Sequence, residues 1–504
     1  MNGSAMPNAR PLRRNRAAFS LSSTEHLQPG DTTVTQSYSR EDIAGLTMKF
    51  AEHTANLKYE DLPEEVVFKA KLILRDGIGN QIAASAIGEP AARMVELVRE
   101  WGGAQQSTVV GFGFKVPMPH AAMCNAMMGH GVELDDAHGT GLIKAGSVLV
   151  PTALAIAEHK GATGKELITA FVAGYEIAVR VAKAINPGHR QRGYHTTGTV
   201  SLLGGAAMGA RLLGCNAEQI AWAIGLAGMQ SAGIQSYLDD PCIAKPFSPG
   251  KSAFNGTLAA VMASRGFSGP KKVLESKEGF LNAFTDSVRV ADLLDGFGTD
   301  YAIMEVGFKP HAACRYAHGP IDLAQHMYWK EGIRENDVEK ITVHMSELAI
   351  RQASKQKPAN LNASMGSTQF GVALALQTGG NGLRDYWSGF ENRAVHDLAA
   401  QRVELVVEPE FGLGGRQAVI EILCRDGRVL RQRAEEPKGE PTNPLTVDEL
   451  DRKFASLAGM VLTNEALIKR ISDRVMSLEN DPDAGTLPLM TKVEGGKPTL
   501  LAAA

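Results

Sequence analysis

Apolar residues recur at helical spacings near the start of the chain, where Ile43, Leu46, Phe50 and Ala51 predict a helix over residues 40–55. Acidic residues then open a second segment at Asp61, and Val66, Val67, Ala70, Leu72, Ile73 and Ile78 continue its apolar face. Residues 118–132 and 147–161 read as two more helices, joined by a polar turn that carries Asp135, Asp136 and His138. The same pattern continues over 165–185, 200–214, 217–232 and 250–266, rich in alanine and leucine. Gly204, Gly205, Ala206, Ala207 and Gly209 present little bulk, which predicts helices packed at close approach.

The pattern changes after about residue 287. Residues 340–345, 402–408 and 419–423 carry alternating or β-branched apolar positions, and Asp426-Gly427 predicts a tight turn into a further strand at 428–430. Helical spacing returns near Pro444, through 447–458 and 463–476. The fold class is therefore mainly α with an α+β second domain. The expected division is a loose polar tail over 1–39, a helical domain over 40–287, a smaller α+β domain over 288–439, and a return to the helical domain over 440–504. A chain of 504 residues exceeds what one core usually serves, so two domains are expected.

Composition adds mainly exclusions. A hydrophobic fraction of 44%, a charged fraction of 21% and a formal charge of −3 describe an ordinary globular protein, with no bulk attraction for nucleic acid or an acidic membrane. The five cysteines, Cys124, Cys215, Cys242, Cys314 and Cys424, form no short paired spacing of the zinc or iron–sulfur kind, and they fit a reducing compartment. Arg10, Arg13, Arg14 and Arg16 are followed by Ser20, Ser22, Ser23 and Thr24 instead of a secretory apolar run, so the expected location is cytoplasmic, with an organellar matrix second. No apolar stretch has the length and flanks of a membrane span.

Several short motifs could carry chemistry. His195 stands before Thr196 and Thr197 at the entrance to an apolar helix, where it could exchange a proton near neutral pH while the threonines orient a carboxylate or cap the helix. Asp135 and Asp136 could share a paired-acid site, or merely cap and solvate a turn. His130 and His138 lie across that turn at neither helical nor metal-motif spacing, and no metal site is expected. Lys245 and Lys309 sit in proline-bounded segments suited to a polyanion, and Arg315 offers the planar fork that grips a carboxylate. Residues 110–114 lack the third glycine of a dinucleotide loop, so no nicotinamide cofactor is expected.

Taken in order, Glu133-Leu-Asp-Asp136, Tyr194-His-Thr-Thr-Gly198, Ala244-Lys-Pro-Phe-Ser-Pro-Gly250 and Phe308-Lys-Pro-His-Ala-Ala-Cys-Arg315 resemble the signatures of the 2-methylcitrate dehydratase and cis-aconitate decarboxylase family. Phe267-Ser-Gly-Pro270, Gly279-Phe-Leu281, Pro437-Lys-Gly439 and Asn443-Pro-Leu-Thr446 extend the resemblance, which runs from about residue 40 to about residue 475. It implies a large helical bundle with a smaller α+β lid, a homodimer, and cofactor-independent, metal-free chemistry on small di- or tricarboxylates between the two domains. It maps Asp135, Asp136, His195, Lys245 and Lys309 onto the active region, with Arg315 as a substrate anchor.

Three departures bear on the reaction. Lys144 stands where related decarboxylases often have a histidine, and as a cation it joins the substrate-binding group. Phe370 falls where the family usually has tyrosine, and Cys314 replaces a histidine of some decarboxylase sites; with His138 these are expected as site wall. The preferred expectation is a hydro-lyase acting on a 2-hydroxy polycarboxylate. Asp136 and His195 would transfer protons, supported by Asp135, while Lys144, Thr196, Thr197, Lys245, Lys309 and Arg315 hold substrate. The alternatives are decarboxylation or epimerisation of a related polyanion, and a non-catalytic carboxylate-binding or assembly protein.

Overall fold

The helices fall where the apolar spacing places them. A computed structural model describes residues 39, 41–240 and 242–493, so the tail expected over 1–39 and the last residues of the 440–504 segment lie almost wholly outside the described residues. Helices α1 (Leu46–Asn56) and α2 (Glu64–Ile87) open the helical region. They are followed by α3 (Met118–Gly131), α4 (Gly146–Lys160), α5 (Gly164–Ile185), α6 (Thr196–Leu212), α7 (Ala217–Gly228) and α8 (Phe247–Ser264). Glu89–Trp101 is a further helix beyond those the pattern marks, with Met94, Val95 and Val98 as its buried stripe.

Helices α4, α5 and α6 are buried on nearly every side, which explains why they read as continuous apolar runs with weak amphipathic periodicity in α4 and α6. Helix α6 is the centre, packed on by α4, α5, α7 and α8. Its glycines make this possible. A Cβ on Gly204 would collide with the carbonyl of Gly174 in α5, and one on Gly209 would come within 2.6 Å of Ile156 and 2.9 Å of Ala260.

The second region contains a four-stranded sheet of order β2-β1-β3-β4, formed by β1 (Val338–Met345), β2 (Val403–Val407), β3 (Ala418–Cys424) and β4 (Val429–Ala434). β1 runs parallel to β2 and antiparallel to β3, and β3 and β4 form the expected hairpin. At its turn only Gly427 has positive φ (87°); Asp426 instead accepts the Arg428 N–H at 3.0 Å, giving a longer glycine-bulged loop than a two-residue turn. Helix α9 (His318–Trp329) lies against β3. The chain then returns through α13 (Val447–Ala458) and α14 (Glu465–Met476), both packed on α2, once α10 (Glu347–Ala353), α11 (Thr368–Thr378) and α12 (Arg393–Arg402) have completed the sheet-bearing region.

Two connections fix the acidic turn between distant parts of the chain. Ala137–His138 pairs with Val306–Gly307 in a short antiparallel ladder, which brings the turn alongside the segment of Lys309. From α13, Lys453 donates to the Leu134 carbonyl at 2.8 Å and pairs with Asp76 of α2 at 2.6 Å, so a returning helix braces the same turn. Among the described residues no helix is long and apolar enough to cross a membrane.

Close approach of α5 and α6 yields a stability prediction. Gly204→Ala should lower stability by about 1–3 kcal/mol, because the obstruction is backbone that cannot rotate away. Gly205→Ala, whose Cβ would meet only ordinary contacts at 3.7–3.9 Å, should be neutral or mildly stabilising through helix propensity. Thermal unfolding of the two variants would check this, and equal midpoints would contradict the packing.

Candidate active site

Where α3 ends, the chain enters the acidic turn through Glu133, a non-glycine residue at φ 54°. This left-handed backbone is unfavourable for a residue with a Cβ and persists only where surrounding contacts enforce it. Here Lys245 pairs with one carboxylate oxygen, and Lys309 donates to the other at 3.1 Å. Lys309 also donates to Asp135 Oδ1 at 3.1 Å, and Asp135 Oδ2 lies 2.6 Å from His130 Nδ1. The result is a continuous chain, Lys245–Glu133–Lys309–Asp135–His130, buried from Glu133 to His130 and partly open at Lys245.

Burial alone would raise both carboxyls, but the cations more than offset it. Lys245 and Lys309 hold Glu133 well below the usual carboxylate range, and Lys309 with His130 lowers Asp135 likewise. An ionised Asp135 accepts a proton-bearing Nδ1, and His130 Nε2 has no protein partner among the described residues. Burial would lower Lys245 and Lys309; Glu133 offsets it for the first, and Asp135 and Glu133 for the second, so both stay charged.

This chain borders a cavity of about 120 Å³, lined by residues of both regions. Its wall includes His130, Glu133, His138, Lys144, Arg190, His195, Tyr237, Lys245, Cys314, Arg315, Lys355 and Arg416. Six of its lining residues are lysine or arginine, whereas Glu133 is the only lining carboxylate among the described residues. His195 occupies the residue before α6, its ring 5.6 Å from that of His130 and edge-on to Tyr237 at 6.1 Å. Burial, then His130 and Lys144, holds His195 well below its ordinary value, so the ring is neutral; its Nδ1 has no partner among the described residues. Burial, followed by Lys309, lowers Lys144 to about 8. Burial pushes the Tyr237 phenol up to about 12, keeping it a hydrogen-bond donor.

Of the residues expected at the site, His195, Lys144, Lys245, Arg315, Cys314 and His138 line the cavity. Arg315 is already engaged, its Nε on Glu440 at 2.8 Å and its Nη1 on the Lys438 carbonyl at 3.0 Å, leaving Nη2 without a partner among the described residues. His138 uses both ring nitrogens, one on Glu305 at 2.9 Å and one accepting the Gly141 N–H at 3.0 Å, so it is wall and not a proton carrier.

Other expectations need correcting in position. Asp135 and Lys309 stand behind the lining residues, as supports. Asp136 turns the other way, toward a separate small void beside Asn80 and Gln81, and accepts the Tyr175 hydroxyl at 2.8 Å. Burial and then the charge of Asp135 push Asp136 up to about 7. Thr197 is occupied by the Lys144 N–H at 3.1 Å and Thr196 by the Asn186 amide at 3.3 Å; neither lines the cavity. Phe370 is not site wall, because its ring packs in the core against Tyr386, Phe390 and His396.

Glu133, His130, Arg190, Tyr237 and Lys355 line the cavity without having been given a site role from the sequence, His130 having been set aside for want of metal or helical spacing. Glu133 was visible in the acidic-turn motif, but its left-handed backbone and double lysine pairing are three-dimensional facts. His130 pairs with Asp135 across a helix end, a relation that no periodic spacing reports.

Residues 48–291 match the MmgE/PrpD N-terminal domain and residues 311–478 match the MmgE/PrpD C-terminal domain. The chain belongs to the MmgE/PrpD family. Relatives of this MmgE/PrpD protein include a cis-aconitate decarboxylase of Aspergillus terreus, 25% identical across 88% of this chain and 95% of its own length. The cis-aconitate decarboxylase-like protein oryM of Aspergillus oryzae is 28% identical across 90% and 98%, and the human cis-aconitate decarboxylase 25% identical across 89% and 95%. Among the described residues, no group of three or more His, Cys, Asp or Glu is placed to hold a metal ion.

The lowered Lys144 can be tested without any substrate. After reductive methylation with ¹³C-formaldehyde, two dimethyl-lysine resonances should titrate near pH 8, those of Lys69 and Lys144. The one lost in Lys144→Met should be cationic below that pH and neutral above it. A Lys144 resonance titrating above 10 would contradict the buried, like-charged setting described for this ammonium.

Proposed function

We propose that the protein is a cofactor-independent decarboxylase of a small unsaturated tricarboxylate of the cis-aconitate type. The observation carrying the polyanion is the wall of six cations around one carboxylate that is itself paired. The named decarboxylases matched along nearly their whole length support decarboxylation ahead of the dehydration expected from motifs.

In this reading the substrate carboxylates face Lys144, Lys245 and Arg315. The bond from carbon to the departing carboxylate breaks, carbon dioxide leaves, and its electron pair moves through the double bond toward the far carboxylate. Fixed cations stabilise that developing enolate-like charge without reorganising. Lys144, with its lowered pKa, supplies one proton to the carbon beside that carboxylate, giving a five-carbon unsaturated dicarboxylate. His195, being neutral, can orient substrate by hydrogen bonding without adding repulsion or charge.

A second reading is dehydration of a 2-hydroxy polycarboxylate. It is favoured by the unpartnered Nε2 of His130, which Asp135 on the other ring nitrogen would equip as a base for a proton next to a carboxylate. Lys144 would then protonate the departing hydroxide.

Incubation of the purified protein with cis-aconitate and, separately, with 2-methylcitrate distinguishes these. Release of carbon dioxide with a five-carbon product is expected from cis-aconitate; reversible loss or gain of water with all carbons retained would replace the first reading by the second. Saturable binding with no conversion of either would instead identify a carboxylate-binding protein. For the decarboxylase, Lys144→Met should lower turnover by about 10²-fold or more. The parental rate should fall as pH rises through about 8, where Lys144 loses its proton; an unaltered rate in the variant would remove Lys144 as donor.

A further inference from the structure

The cations around the cavity fall into two groups. Lys245 and Lys309 are neutralised by Glu133 and Asp135, while Arg315 and Arg416 share Glu440. Arg190 and Lys355 have no carboxylate partner among the described residues, although both line the cavity. They come from different elements, Arg190 from the short helix Gly188–Gln191 before His195 and Lys355 from just beyond α10 in the sheet-bearing region.

Their surroundings contain no internal group to serve as counter-ion among the described residues. The groups acting on Arg190 are Tyr237, Tyr316, Arg351 and Cys314, and its Nη2 is buried without a hydrogen-bond partner. Lys355 feels Lys245 first and then Glu133, whose carboxylate is already occupied by Lys245 and Lys309. Both side chains line the same cavity as Cys314. The Lys355 backbone is fixed there by the Ser367 hydroxyl on its carbonyl at 2.5 Å, and the amides of Asn360 and Asn362 line the same cavity as additional donors. A guanidinium nitrogen withdrawn from solvent without a partner carries a desolvation cost that an anion entering the cavity would relieve.

We propose that Arg190 and Lys355 form a distal anion subsite that receives a substrate carboxylate remote from the reacting carbon and so selects tricarboxylates over short dicarboxylates. This rests on the reading of the cavity as a polycarboxylate site. Arg190 supplies a directional N–H fork and Lys355 a point charge from the sheet-bearing region. A bound carboxylate bridges the two regions, adding affinity that a ligand confined to the inner cations does not obtain.

Calorimetric titration with propane-1,2,3-tricarboxylate and with malonate tests it without requiring turnover. Malonate carries both carboxylates on one carbon and so spans a shorter distance between its anionic ends than the tricarboxylate does. The parent should bind the tricarboxylate more tightly. Arg190→Gln and Lys355→Gln should each weaken tricarboxylate binding by at least about tenfold while changing malonate binding less than about twofold, with unfolding midpoints unaltered. Arg190→Lys should recover only part of the loss.

Equal losses for both ligands would overturn the subsite in favour of a general field effect. No loss in either variant would overturn it directly, and a loss in only one would overturn the pairing. If a variant unfolds, the other, on a different element, decides by the same ratio. A folded parent that binds neither ligand would bring down the polycarboxylate reading itself, and this inference with it.

Discussion

The Lys309 ammonium is fully buried, 3.1 Å from Glu133 and 3.1 Å from Asp135, and the geometry of the site depends on that placement. A charge withdrawn from water is tolerated only when its partners are fixed and properly oriented. Lys309 therefore holds two acidic residues of the turn together, one supporting Lys245 and the other His130. The same constraint explains why Glu133 remains in a left-handed conformation: relaxing its backbone would separate a buried carboxylate from two cations. Removing Lys309 alone would leave Glu133 and Asp135 buried and mutually repelling, a larger disturbance than the loss of one surface ion pair.

The surrounding fold supplies the fixity. The ladder of Ala137–His138 with Val306–Gly307 sets the acidic turn beside Lys309, while Lys453 holds Leu134 from a helix far later in the chain. Glu440 follows Gly439, whose carbonyl accepts the Phe308 N–H at 2.8 Å, and it binds Arg315 from the other side of the Lys309 segment. Internal acids thus neutralise the cations that position structure, whereas Lys144, Arg190 and Lys355 keep charge without a carboxylate of their own among the described residues. This division between compensated and uncompensated cations is the physical basis for reading the cavity as a receptor for a small polyanion.

Much of the scaffold was legible in the sequence because burial on a helix or strand repeats with a fixed period. Gly204 and Gly209 pointed to close helices, and they meet Gly174, Ile156 and Ala260. Asp426-Gly427 marked the hairpin, though only Gly427 needed the positive φ. The site was legible where a motif residue also lines the cavity, as for His195, Lys144 and Lys245. It was misread where neighbours in sequence diverge in space: Asp135 turns to His130 and Asp136 to Tyr175. Phe370 likewise joins an aromatic core that its sequence context does not reveal. The Thr196 and Thr197 hydroxyls are consumed by local hydrogen bonds, and a sequence motif does not disclose such prior occupancy.

The buried charge chain fixes the proton on His130, and ¹⁵N NMR of histidine-labelled protein measures this directly, with His130→Gln providing the assignment. The expected result is a ring that carries a proton on Nδ1, held toward Asp135, and loss of that preference in Asp135→Asn. A parental His130 protonated at Nε2 alone, or a tautomer distribution unchanged by Asp135→Asn, would contradict it.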